Sequence, residues 1–368
     1  MVANEANFDG LVGPTHNYSG LSAGNIASTG NIHSISNPKA AAKQGLAKMK
    51  ALVDLGLTQG ILAPQERPDI STLKRLGFYG DDQQVINKAY RQARSLLAAC
   101  FSASSMWSAN AATVSPSSDT GNKKIHFTPA NLLNKFHRSL EAPTTSNILR
   151  RVFNDNDVFD HHQPLPSQSC FSDEGAANHT RLCSSYGEQG IEIFTYGCHA
   201  FDQSQPTPTK FPARQTLEAS QAITNLHKLN PDHVVYVQQS PKVIDTGVFH
   251  NDVISVGNQN VLLFHEQAFL NKGSFINQLN NKYGERPLYL IEATNDDLSV
   301  KDAVSSYLFN TQIISIADNE MVVIAPNHCR ENTKVKNFLA RIVSADNPVT
   351  AVKYFDVNES MKNGGGPA

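Results

Sequence analysis

At 368 residues, 40% of them hydrophobic and 17% charged, the chain has the make-up of a soluble globular protein longer than one ordinary core serves. The 31 lysines and arginines against 33 aspartates and glutamates leave a net charge of −2, with no basic surplus for nucleic acid or an anionic membrane. No apolar run is long enough to cross a bilayer, and the opening "MVANEANFDG" lacks the basic start and apolar stretch of a signal peptide. The cysteines (Cys100, Cys170, Cys183, Cys198 and Cys329) are scattered and without CxxC spacing. They predict buried, reduced thiols in a cytoplasm, with no disulfide framework and no zinc site.

In chain order, residues 8–28, "FDGLVGPTHNYSGLSAGNIAS", have neither helical nor strand period. Such a bare, glycine-rich backbone exposes N–H groups able to hold a carboxylate or phosphate, although no GK[ST] follows to make a P-loop. A plain solvated loop is the competing reading. A helix follows, with Asn37 as cap, Pro38 in its first turn, Ala42, Leu46, Met49 and Val53 at helical spacing, and Gly56 as its stop. A second helix is expected over 82–99. A third is expected from Thr128 and Pro129, with Leu132, Leu133, Phe136 and Leu140 on one side. That third helix carries His137 and Arg138. The "DHH" at 160–162 superficially resembles a ligand pair, but adjacent histidines rarely point at one ion, so no metal is expected. In "SDEGAANHTR", Asp173 and Glu174 precede Gly175, which reads as a turn or as a carboxylate site. "RQTLEASQAITNLHKLN" begins with Arg214 and forms a helix ended by Pro231. Arg138 and Arg214 are either solvated charges or bidentate grips for carboxylates.

In "GVFHNDV", His250 and Asp252 alternate at the start of an expected strand, which would put both on one face. An imidazole beside an anion there suits acid/base work, and a surface histidine is the alternative. "DVISVGNQNVLLF" then reads as a hairpin turning at Gly257-Asn258, followed by a helix and the strand "PLYLIEA". The same order recurs in "TQIISIADNEMVVIAP", "NTKVKNFLARIVS" and "TAVKYFDV", and begins again at "AATVSPSSDTGNKKIHFTP". A recurring ββαβ order without an intervening linker predicts one pseudo-symmetric α/β domain over 1–368, with its site where the loops converge. The last six residues, "NGGGPA", allow a close backbone approach to another group, or else a frayed tail.

Together, "NFDGLVGPTHNYSGLSAGN", "NPKAAAKQGLAKMKAL", "NKFHRSLEAP", "DEGAANH", "PARQT", "GVFHNDVI" and "NGGGPA" resemble, in order over essentially the whole chain, the N-succinylarginine dihydrolases of the bacterial arginine succinyltransferase pathway. The resemblance implies a pentein-type fold of the guanidine-modifying superfamily, a pseudo-fivefold α/β propeller of ββαβ units. It implies release of two ammonia molecules and carbon dioxide from N2-succinylarginine, leaving N2-succinylornithine. It also implies a cytoplasmic homodimer without metal or organic cofactor, and with neither nucleic acid nor membrane as partner. By resemblance Glu174 and His250 are catalytic. Ser19, Gly20, Leu21, Ser22, Ala23, Gly24, Asn25, Ile26, Ala27, Ser28, Asn110, His137, Arg138, Arg214, Asp252 and Asn363 are substrate contacts. Members of this family carry a nucleophilic cysteine directly after "GGGPA". This sequence ends one residue short of it, so a C-terminally truncated or interrupted copy is expected, and none of the five cysteines matches that position. An arginine deiminase or amidinotransferase, or a non-catalytic binder of guanidino compounds, are the alternatives.

Overall fold

The computed structural model describes residues 4–17, 21, 34–362 and 367. Five small sheets follow one another along the chain. The first pairs β1 (Ala6–Gly10) in parallel with β2 (Thr58–Leu62), and the helix Pro38–Asp54 makes the crossover. The second contains β3 (Ala112–Ser115), β4 (Ile125–Pro129) and β5 (Phe159–His161). The third contains β6 (His179–Leu182), β7 (Ile191–Tyr196) and β8 (Val234–Gln238). The fourth contains β9 (Ser255–Asn258), β10 (Val261–His265) and β11 (Tyr289–Ala293), and the fifth β12 (Gln312–Ala317), β13 (Glu320–Pro326) and β14 (Val349–Phe355). In each of these four sheets the first two strands are antiparallel and the third returns parallel to the middle one after a helical crossover. The middle strands bury almost every residue, which is why they read as continuous apolar runs in the sequence.

Neighbouring sheets meet through their first strands: β9 contacts both β6 and β12. Gly257 in β9 makes that approach possible, because a Cβ there would lie 2.9 Å from Thr180 Cγ2 on β6. One continuous core runs through the third, fourth and fifth sheets. Leu62, Ala112, Phe127 and Leu149 join the first sheet to the second. The first unit also touches the last, since Leu52 of the Pro38–Asp54 helix packs with Ile314, Val322 and Ile324. Along that seam Gln312 Nε2 donates to Asn7 Oδ1 at 2.8 Å. The Tyr186 hydroxyl donates to Glu5 Oε2 at 2.6 Å, accepts from Asn258 Nδ2 at 3.1 Å and lies 3.1 Å from Ser315 Oγ. Among the described residues no helix is long and apolar enough to cross a membrane.

Several local expectations are corrected. The helix expected from Thr128 does not form: Thr128 and Pro129 finish β4, and Leu132 sits at φ +51°, which a right-handed helix cannot accommodate. Only Phe136–Ser139 and then Ala142–Val152 are helical. The 82–99 helix divides into Asp82–Gln92 and Arg94–Cys100 at Ala93, whose φ of −152° is extended. In Pro38–Asp54 the Asn37 cap holds, accepting from Ala40 N at 3.1 Å, but the buried face is Ala41, Gly45, Lys48, Met49 and Leu52. Leu46 and Val53 are exposed, and Lys48 is drawn inward by an ion pair of 2.8 Å with Asp9. The fourth-sheet hairpin turns at Gln259-Asn260 rather than Gly257-Asn258, with Gln259 at φ +46°.

Candidate active site

A short 3₁₀ turn precedes the first strand of every three-stranded sheet: Ser108–Asn110, Gly175–Asn178, Asn251–Val253 and Leu308–Asn310. Successive turns touch one another. They are also tied by asparagines. Asn110 Nδ2 donates to the Glu174 carbonyl at 2.9 Å, and Asn178 Oδ1 accepts from Asn251 N at 2.8 Å. The row places Glu174, just before one turn, against His250 and Asp252 at the next.

Glu174 is fully buried, and its backbone is fixed before its side chain acts. Its N–H donates to Gln215 Oε1 at 2.8 Å. Asp173 beside it is held by Asn131, whose Oδ1 accepts from Asp173 N at 3.0 Å, and by Leu132 N donating to Asp173 O at 3.0 Å. Gly175 follows at φ +72°, a conformation that suits glycine. The segment 130–135 that fails to become helix therefore serves to anchor this loop. Glu174 Oε2 accepts from Arg138 Nη1 at 2.5 Å and lies 2.8 Å from His250 Nε2. Arg214 Nη1 approaches the same imidazole nitrogen at 3.5 Å, and its guanidinium stacks on the Phe249 ring at 4.2 Å. Asp252 Oδ1 is 3.9 Å from His250 Nδ1.

Burial opposes ionisation of Glu174, but Arg138 and His250 outweigh it and hold the carboxyl well below its usual range. Asp252 is pushed upward by burial, partly offset by His250 and Arg138. Burial and the neighbouring Arg138 charge push His137 down to about 3, so its imidazole is neutral near pH 7. Arg214 is lowered to about 10 by burial and stays cationic there. Several buried polar atoms at this point have no hydrogen-bond partner among the described residues. Glu174 Oε1 and Asp252 Oδ1 are acceptors in that state, and Arg138 Nη2 is a donor. Acceptors of this kind suit the N–H groups of a planar cation, and the donor suits an anion.

The model of the AstB succinylarginine dihydrolase family matches residues 2–368. The chain belongs to that family. The N-succinylarginine dihydrolase of Aeromonas hydrophila subsp. hydrophila is 62% identical over 364 residues, which cover 99% of this chain and 82% of the relative. That of Pseudoalteromonas atlantica is 58% identical over 368 residues, covering 100% and 82%. Among solved structures, the N-terminal domain of ArgZ, an arginine dihydrolase from the ornithine-ammonia cycle in cyanobacteria, aligns with a TM-score of 0.55 at 16% identity, covering 98% of this chain and 94% of that one. DDAH from Pseudomonas aeruginosa, complexed with citrulline, aligns at 0.51 and 14%, with the same coverage. These likenesses establish the fold: a mixed α/β pentein with small sheets.

Of the site residues expected from the sequence resemblance, Glu174, His250, Asp252, Arg138 and Arg214 converge as described. Asn110 meets the Glu174 backbone, and His137 is buried beside Arg138. His250 and Asp252 come together through a 3₁₀ turn and not through strand alternation, since β9 begins only at Ser255. Leu21 is half-buried. Ser19, Gly20, residues 22–28 and Asn363 lie outside the described residues. None of the five cysteines is hydrogen-bonded to Glu174 or His250. Cys329 donates to Ser306 O at 3.2 Å, and burial pushes its thiol up to about 12. Sequence reasoning missed Asn178 and Gln215. An asparagine closing the short segments before successive hairpins ("SAN", "GAAN", "LFN") was the available signal for Asn178.

Proposed function

We propose that the chain binds N2-succinyl-L-arginine and, with two waters, converts it to N2-succinyl-L-ornithine, two ammonia molecules and carbon dioxide. Membership of the family supports this reading, and the uncommitted atoms around Glu174 carry it. A guanidinium has N–H donors for Glu174 Oε1 and Asp252 Oδ1, while the carboxylates of the succinylated end suit Arg138 and Arg214. With the cation held by carboxylates, its central carbon is exposed to a thiolate. The thiol in this reading is the cysteine that the family carries directly after the Gly-Gly-Gly-Pro-Ala run. Attack forms a C–S bond. His250 then protonates the departing ammonia and afterwards takes a proton from the water that cleaves the adduct. A second cycle on the ureido product releases the remaining ammonia and carbon dioxide.

The same reading takes the five sheets as blades of a pseudo-fivefold propeller forming one catalytic domain over 1–368, and the enzyme as a cytoplasmic homodimer. The test is calorimetry and an ammonia assay on two proteins. The 368-residue polypeptide should bind succinylarginine without turning it over. The same chain continued with a cysteine and the family's C-terminal segment should release two ammonia per succinylornithine. Tighter binding of free arginine than of succinylarginine would overturn the substrate assignment. Turnover by the 368-residue polypeptide would overturn the role of that thiol.

A further inference from the structure

Away from Glu174 and His250, the described residues bring together one group of three side chains placed to share a metal ion: His126, Asp160 and His162. Each offers one ligand atom within 4.8 Å of the other two. The fold builds this grouping through strand register. Parallel pairing sets His126 on β4 directly beside Asp160 on β5. His162 N then donates to Phe127 O at 2.9 Å and continues that pairing one step beyond β5, so His162 lies on the same side as Asp160. His161 alternates away: its ring stacks on Phe127 and its Nε2 lies 2.7 Å from Phe153 O. The adjacent histidines of "DHH" therefore do point apart, as the sequence suggests, and the second imidazole of the grouping comes from another strand.

We propose that His126, Asp160 and His162 bind a first-row divalent transition cation of the zinc type. Two imidazole nitrogens and a carboxylate oxygen form a borderline donor set that suits zinc, and they are too nitrogen-rich for magnesium or calcium. His126 Nδ1 and His162 Nε2 face each other at 2.9 Å, with room for one proton between two lone pairs. Tetrahedral zinc with nitrogens at about 2.0–2.1 Å would space them about 3.3 Å apart, so the rings open by only a few tenths of an ångström. His162 takes its other tautomer, and the neutral rings bind without net loss of a proton.

The surroundings resemble those that orient metal ligands elsewhere. Asn122 Oδ1 lies 2.7 Å from His126 Nε2, and Asn122 Nδ2 donates to Asp160 Oδ2 at 3.3 Å. His227 stacks on His162 at 5.3 Å, while its own nitrogens lie 2.8 Å from the Ser115 and Thr128 hydroxyls, which leaves it a wall and not a ligand. The Asp160 side chain is 38% exposed, so an ion has a route in and water a place as fourth ligand. A bound ion would cross-link β4 to β5, which is only three residues long.

The experiment titrates zinc chloride, and separately cobalt chloride, into the chelator-treated 368-residue protein, with calorimetry, melting curves and the cobalt absorption spectrum as readouts. One equivalent should bind and raise the melting temperature. His162→Ala and Asp160→Asn should each weaken binding by about 10–100-fold or more, while their metal-free melting temperatures stay near that of the parent. His161→Ala should bind as the parent does. The proposal is overturned by the absence of stoichiometric binding, by parent-like affinity in His162→Ala and Asp160→Asn, or by a sulfur-to-cobalt charge-transfer band that puts the ion on a cysteine.

Discussion

Glu174 has one oxygen committed to two neighbours, Arg138 and His250, and one without a hydrogen-bond partner among the described residues. In the proposed reading that asymmetry makes it an orienting carboxylate held ready for a further cation. In the same reading His250 is the group that moves protons. In the enzyme continued through the family's cysteine, His250→Ala should lower kcat by about 10²–10⁴-fold and leave succinylarginine binding by calorimetry largely intact. An unchanged kcat would remove the imidazole from the chemistry. Glu141 offers a second test of a different kind. It accepts from the Ser104 hydroxyl, and burial raises it from 4.5 to about 7, with Arg138 opposing. A carboxyl raised by folding contributes stability that is complete below its unfolded value. That stability is lost as pH rises through the folded one. Between pH 4.5 and about 7 the parent should therefore lose more stability than Glu141→Gln. At about 1.4 kcal/mol per pKa unit, the difference is at most about 3 kcal/mol by urea unfolding. Equal pH slopes would show that Glu141 does not take up the proton.

The row of 3₁₀ turns converts repeated architecture into a site, because each unit offers its turn at an equivalent place with different side chains. Asn178→Ala removes the acceptor for Asn251 N and should destabilise the protein by about 1–3 kcal/mol. It should also lower kcat although Glu174 and His250 are untouched. A loss of stability with full kcat would separate the turn from the chemistry. Much of this was legible beforehand. The runs "DVISVGNQNVLLF" and "TQIISIADNEMVVIAP" announced hairpins because β10 and β13 are buried along nearly their whole length. The unit built from β6, β7 and β8 is not legible in the sequence, since the irregular 197–216 segment separates β7 from its helix Leu217–Leu226. Arg138 and Arg214 were visible as charges, but their role depends on Leu132 breaking a helix and on Phe249 lying under a guanidinium. Neither is written in local spacing. The partnership of His126 with Asp160 rests on parallel register, which periodicity along one strand cannot reveal.

At the scale of the molecule, the seam between the first and last sheets adds polar contacts to the apolar cluster around Leu52. Tyr186→Phe deletes the hydroxyl shared by Glu5, Asn258 and Ser315 and should cost about 1–3 kcal/mol, read from denaturant midpoints. If the midpoint does not move, the seam is held by Leu52 and its apolar neighbours alone. The seam also joins residues that lie far apart along the chain: Gln312 and Asn7 are separated by 305 positions. Contacts so distant in sequence carry the largest loop-closure entropy and form late. Substitutions at Asn7 or Gln312 should therefore change the unfolding rate far more than the folding rate, while substitutions within the β9–β10 hairpin act on folding itself. On that expectation the protein assembles as an open arc that closes last. The segments that carry Glu174, His250 and Asp252 precede the third and fourth sheets, away from that seam, so on the same expectation they meet before the ring is shut.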